Sequence, residues 1–200
     1  MITRWDRDVV EAFQDLHWEP ADWVFVHLSD WWVKSLLIVA IGLVADVVSR
    51  RRSLSRCDTA HARAPAAGQS AATGFPLGGV LAAVSYVVAT LLANVLKGVF
   101  DRPRPPVGHP EIHPLVALPD SASMPSGHAA GAFAAVVAVG LVHPRLRWPL
   151  LALAALIALS RVWLGVHYLT DVVAGAALGA TIAYAAWRVA AIIGARTSSP

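Results

Sequence analysis

Apolar runs alternate with short polar segments along the whole chain. Four of them approach the roughly 20 residues that a helix needs to cross a bilayer: Trp32 to Val48, Leu77 to Leu96, Gly127 to Val142 and Trp148 to Val166. A fifth follows from Val172 to about Ile193. The second run carries no charge. The first tolerates Lys34 and Asp46 near its ends, where long side chains reach the headgroups. The pattern predicts an all-α protein, a polytopic transmembrane helical bundle.

Upstream of the first run, Trp5, Trp18, Trp23, Trp31 and Trp32 stand among charged residues. That mixture suits an amphipathic helix lying in the membrane interface. Read as one more span, the same stretch would raise the count from five to six. The expected organisation is an interfacial segment over residues 1–31 and a transmembrane domain over 32–196, with loops over 49–76 and 101–125. The opening sequence MITRWDRDVVEAFQDLHWEP has acidic residues where a signal peptide needs an unbroken apolar core, so no cleaved signal is expected.

Composition agrees with a membrane protein: 56% of residues are hydrophobic, 14% are charged, and the mean hydropathy is +0.57. A net charge of +3 could point to nucleic acid. The arginines, however, lie between apolar runs and form no basic stripe with interleaved aromatics, which excludes a nucleic-acid partner. Arg50, Arg51, Arg52, Arg56 and Arg63, with Arg145, Arg147, Arg188 and Arg196, fall on one side of a five-span arrangement. The positive-inside rule makes that side cytoplasmic. The loop from Asp101 to Pro125 and the link between the last two spans then face outward. One cysteine, Cys57, excludes an internal disulfide framework and a cysteine-rich metal site.

Three polar clusters interrupt the apolar pattern, each at the outward end of a predicted span. In KGVFDRPRP, Lys97 ends the second span and Arg104 with Pro105 follows in a proline-restricted turn. In MPSGHAAGAF, Ser126, Gly127 and His128 open a helix. The free N–H groups and dipole of such a turn attract an anion, and glycine lets a phosphate approach closely. A simple serine cap would leave the same trace. In SRVWLGVHYLTD, Arg161 closes an uncharged run, and His167 and Asp171 follow four residues apart. If the last span begins near His167, that spacing places imidazole and carboxylate on one helical face. Asp171 would then hold one ring nitrogen and leave the lone pair of the other to act as a nucleophile.

Span alternation brings all three clusters to one face without reference to the motifs. Together they offer three cations and a helix N-terminus for a phosphoryl group, a histidine backed by a carboxylate, and a second histidine to move a proton. Ionisable groups at membrane depth are costly enough to be read as functional.

The three blocks resemble the signature of the type 2 phosphatidic acid phosphatase superfamily, in its integral membrane branch. Lys97 to Pro105 fits K-x-x-x-x-x-x-R-P, Pro125 to His128 is P-S-G-H, and Ser160 to Asp171 fits S-R-x-x-x-x-x-H-x-x-x-D, in the family's order. The resemblance implies a metal-independent lipid phosphatase, without cofactor, acting through a phosphohistidine. His167 would be the nucleophile, His128 the acid and base, and Asp171 the orienting carboxylate. Lys97, Arg104, Ser126, Gly127 and Arg161 would bind phosphate oxygens.

The substrates weighed are phosphatidic acid, phosphatidylglycerol phosphate and polyprenyl phosphates or diphosphates. The competing readings are a lipid phosphoryl or headgroup transferase using the same site, and a non-catalytic lipid-binding protein. A soluble haloperoxidase ranks low because of the apolar spans. The expected location is the cell membrane, with the site facing the extracytoplasmic side. Gly175 and Gly179 have the G-x-x-x-G spacing of close helix packing. That spacing fits a seam within the bundle or within a homo-oligomer, and the first is preferred.

Overall fold

The structure, a computed structural model, describes residues 4–28, 39–48 and 77–197. These residues form helices α1 (Arg4–Gln14), α2 (Glu19–Leu28), α3 (Val39–Val48), α4 (Leu77–Phe100), the single turn α5 (Pro105–Gly108), α6 (Gly127–Val142), α7 (Arg147–Trp163) and α8 (Leu169–Thr197). A 3-10 turn, Pro144–Leu146, links α6 to α7. The loop expected over 49–76 and residues 32–38 of the first apolar run lie outside the described residues.

Among the described residues, three stretches are long and apolar enough to cross a bilayer: Leu77–Gly108, Pro144–Trp163 and Leu169–Arg196. With 16 residues, α6 is shorter, and ten of them are buried. It is the central helix, packed against α4, α7 and α8. Small side chains make this closeness possible. Ala129, Ala130, Ala134, Ala135 and Ala138 of α6 are fully buried, as are Ala89 and Ala93 on the facing side of α4.

At the α6–α8 seam two glycines lie against backbone carbonyls. A Cβ at Gly175 would strike the Ser126 carbonyl oxygen, and one at Gly179 would strike the carbonyl oxygen of Ala130. The G-x-x-x-G pair is therefore used inside the bundle, where it sets α8 directly against α6.

On α4 the two faces differ in size as well as in burial. Ala82, Ser85, Ala89 and Ala93 point inward, whereas Val84, Val88, Leu91 and Val95 point outward and are exposed. Large apolar groups on the outer face match a hydrocarbon surround.

The two ends of the bundle differ chemically. At one end Asp46 of α3 is buried and accepts hydrogen bonds from the N–H groups of Gly78 (3.2 Å) and Gly79 (2.9 Å), with His143 Nε2 2.7 Å away. This carboxylate caps the N-terminus of α4, where free amides and the helix dipole favour a negative charge. It is not the headgroup-reaching residue expected from its place near a span end. At the opposite end, the C-termini of α4 and α7 meet the N-termini of α6 and α8.

The N-terminal segment forms two helices rather than one. Their packing centres on Trp163: Phe25 lies 4.8 Å from its ring, Asp22 accepts its indole N–H at 2.7 Å, and His17 Nε2 is 3.0 Å from its carbonyl oxygen. Trp5, Trp18 and Trp23 remain more than half exposed.

Candidate active site

The first wall comes from the end of α4. Lys97 lies in its last turn, and the helix closes at Asp101, whose N–H bonds the Lys97 carbonyl at 2.9 Å. Asp101 has φ 40°, a left-handed conformation that an aspartate tolerates at a helix end. In the following Arg-Pro-Arg-Pro, each arginine precedes a proline and is held away from helical geometry. Arg104 is extended at φ −72°, ψ 159°. Arg102 and Arg104 are both buried.

Arg104 is fixed by the loop it faces. Its Nε donates to the Ser121 carbonyl at 2.8 Å, Nη2 to the Ser121 hydroxyl at 3.2 Å, and Nη1 to the Val166 carbonyl at 2.8 Å. Lys97 Nζ donates to the same Ser121 hydroxyl at 3.0 Å. Ser121 thus draws the two cations of the first motif together.

The second wall is the start of α6. Ser126 occupies the N-cap, yet its side chain makes no cap bond, and its buried hydroxyl has no hydrogen-bond partner among the described residues. Gly127 follows with no side-chain atom nearer than 4.0 Å to where a Cβ would stand. His128, half-buried, completes the same first turn. An unpaired hydroxyl at the start of a helix is an anion-accepting arrangement. The Ser126 backbone N–H is occupied elsewhere: it donates to the Asp171 carbonyl at 2.9 Å.

The third wall is the joint between α7 and α8. Arg161, buried in the last turn of α7, accepts the N–H groups of Val166 and His167 on its carbonyl, both at 3.2 Å. Gly165 turns the chain at φ 69°, a conformation that favours glycine. His167 emerges just before α8 and not on it, because the helix begins at Leu169. Asp171, in the first turn, folds back to accept the Tyr168 N–H at 2.9 Å, a cap of the helix by its third residue. The expected pairing of two residues on one helical face is thus replaced by a capping carboxylate beside a residue preceding the helix.

At the centre, Arg104 Nη1 lies 3.3 Å from His167 Nε2, and His167 Nδ1 lies 3.5 Å from Asp171 Oδ2. A guanidinium has only donors, so Nε2 must be the unprotonated nitrogen and Nδ1 carries the hydrogen toward Asp171. Burial, with Arg104 and Arg161 close by, pushes the His167 pKa down to about 4 against the pull of Asp171. The ring is neutral at physiological pH, with its lone pair facing the cationic wall.

Lys97, Arg104, Ser126, Gly127, His128, Arg161, His167 and Asp171 all lie at this end of the bundle. Direct contacts join Arg104 to His167 and His167 to Asp171, and Lys97 to Arg104 through Ser121.

Sequence reasoning missed four residues. Besides Ser121, these are Arg102, Asp6 and Thr170. Arg102 donates from Nη1 to Asp171 Oδ1 at 2.6 Å and from Nη2 to Asp6 Oδ2 at 2.7 Å. Its guanidinium also lies 4.2 Å from the Tyr168 ring centroid. Asp6 accepts the Thr170 hydroxyl at 2.7 Å and the Thr170 N–H at 3.2 Å. The available signal was a carboxylate on the apolar face of α1, one turn before the buried Val10.

The chain is similar to known proteins. The chain is 30% identical over 107 residues to an undecaprenyl-diphosphatase of Bacillus subtilis, covering 54% of this chain and 55% of that one. It is 40% identical over 107 residues to a decaprenylphosphoryl-5-phosphoribose phosphatase of Mycobacterium tuberculosis, covering 52% and 56%. The chain thus spans about half the length of the curated relatives it matches. Its fold is that of a transmembrane phosphatidylglycerolphosphate phosphatase of the PAP2 type from Bacillus subtilis, with a TM-score of 0.67 and 22% identity over 94% of this chain and 85% of the other. With three described helices long and apolar enough to cross a bilayer, this chain is a membrane protein. The matching family model spans residues 78–193, from the first turn of α4 almost to the end of α8 and across all three walls of the site; the chain belongs to the PAP2 superfamily.

Proposed function

We propose that the protein is a lipid phosphatase that cleaves phosphate from a membrane lipid through a phosphohistidine on His167. The observation that carries this reading is the orientation of His167, with Nε2 turned toward Arg104 and Nδ1 toward Asp171. Nε2 attacks phosphorus in line as the bond to the leaving oxygen breaks, and His128 gives that oxygen its proton. Water then attacks the phosphohistidine and loses a proton to His128. The N–P bond breaks, and inorganic phosphate leaves.

Lys97, Arg104 and Arg161 neutralise the phosphoryl oxygens, assisted by the Ser126 hydroxyl and the first amides of α6. Asp171 orients His167 and stabilises its charged, phosphorylated state. No metal or cofactor is required for these steps, since the fixed cations supply the charge.

The activities of the relatives support a substrate with a long polyprenyl chain carrying phosphate or diphosphate. From a polyprenyl diphosphate the leaving group is the lipid monophosphate. The arginine-rich segments favour a site facing the extracytoplasmic side, with α1 and α2 lying in that interface on their exposed tryptophans.

Inorganic phosphate release by purified protein in detergent with excess EDTA, from undecaprenyl diphosphate and from phosphatidic acid, tests the reading. Release that disappears in His167→Ala is expected. Asp171→Asn should weaken turnover, and His128→Ala should slow lipid substrates more than one with a good leaving group. Undiminished release by folded His167→Ala protein would overturn the nucleophile.

A further inference from the structure

We propose that Asp6 of the N-terminal helix is a positioning residue for the phosphoryl-transfer step, acting on His167 through Arg102 and Asp171. This inference rests on the reading of His167 as nucleophile.

Asp6, Arg102 and Asp171 are each at least 93% buried, at 1%, 7% and 0% exposure. Arg102 divides its two terminal nitrogens between the carboxylates, 2.7 Å to Asp6 and 2.6 Å to Asp171. A guanidinium fork left with one carboxylate tends to grip it with both nitrogens. By holding Nη2, Asp6 leaves Asp171 bound through Oδ1 alone, so that Oδ2 stays turned to His167 Nδ1 and the Tyr168 N–H.

Charge gives the same answer. Two carboxylates around one arginine leave one negative charge on the Asp171 side of His167, opposed to Arg104 on the other, and that charge favours the cationic ring that forms on phosphorylation. Asp6 also receives both the N–H and the hydroxyl of Thr170, the residue before Asp171, and thereby fixes the first turn of α8. The N-terminal helix is consequently part of the catalytic framework, although it lies outside the three motifs and before the matched residues 78–193.

The experiment measures kcat and KM for phosphate release from undecaprenyl diphosphate by full-length protein. Asp6→Asn, which keeps shape and removes charge, is expected to lower kcat at least about 10-fold with KM within about twofold, the signature of an interaction felt in the transition state. In an Asp171→Asn background the same change should cost little more, because its effect passes through that carboxylate. Val10→Ala, which loosens α1 without touching the charges, should retain kcat.

Equal losses in Val10→Ala and Asp6→Asn, or full additivity with Asp171→Asn, would overturn the proposal in favour of helix docking alone. If Asp6→Asn does not fold, Arg102→Gln supplies the test. Its kcat should fall at least about 10-fold with KM within about twofold, because it removes the link between Asp6 and Asp171, and an unchanged kcat would overturn the proposal. Wild-type release that is lost in His167→Ala while Asp6→Asn stays unimpaired would sink this inference alone. Release retained in His167→Ala would sink the underlying reading.

Discussion

Arg104 Nη1 stands 3.3 Å from Nε2 of His167 and cannot accept a hydrogen from it. The contact and the burial of the ring therefore favour the same species, the neutral imidazole with its lone pair on Nε2. Its pKa sits at about 4. In the proposed mechanism the neutral form is the nucleophile, so its supply would fall only as pH drops through about 4.

A first prediction is that His167 stays neutral from about pH 8 down to about pH 5, well below the ordinary histidine midpoint near 6.5. The 15N shifts of histidine-labelled protein in detergent, with His167 assigned through His167→Gln, would show this directly. A midpoint near 6.5 would contradict the geometry.

Ser126→Ala should separate stability from function. An N-cap serine that bonds its helix is worth about 1 kcal/mol, but this hydroxyl makes no cap bond. Thermal unfolding should consequently be unchanged, while kcat/KM falls roughly 10- to 100-fold with the loss of one donor to the phosphoryl group. A destabilised variant of normal activity would identify Ser126 as a cap.

Gly179→Ala should push α8 away from the Ala130 carbonyl and cost about 1–3 kcal/mol by overpacking. Because the two helices share the site, activity should drop along with the unfolding temperature. Gly194→Ala, with no atom within 4 Å of the added Cβ, is the control and should be neutral or slightly stabilising. Similar behaviour of the two variants would mean that the seam does not set the spacing.

The motifs were readable in the sequence because their chemistry is local: a helix start, an arginine in a proline-restricted turn, a histidine near a carboxylate. Helix ends were less so. Hydropathy stops at Lys97, yet α4 runs on to Phe100 until Asp101 takes a left-handed turn. The final helix starts at Leu169, three residues before its apolar run, because the Asp171 carboxylate caps it.

The Asp6–Arg102 pair was not readable at all. Its partners are 96 residues apart, and nothing local to either announces the other. Asp46 was misread for a related reason. A carboxylate near a span end looks like a headgroup contact until a second helix brings its bare amides to it.

The arrangement of alanine inward and valine or leucine outward on α4 has a consequence for how the protein tolerates change. In a water-soluble domain the rim accepts substitutions by polarity and the core by volume. Here Val88 or Leu91 can exchange with another aliphatic residue at little cost, since lipid conforms to any contour, but a charge there would oppose insertion. At Ala89 or Ala93 one added methyl group has nowhere to go. Variation in this chain should therefore be wide in shape and narrow in polarity on its outside, and narrow in size within.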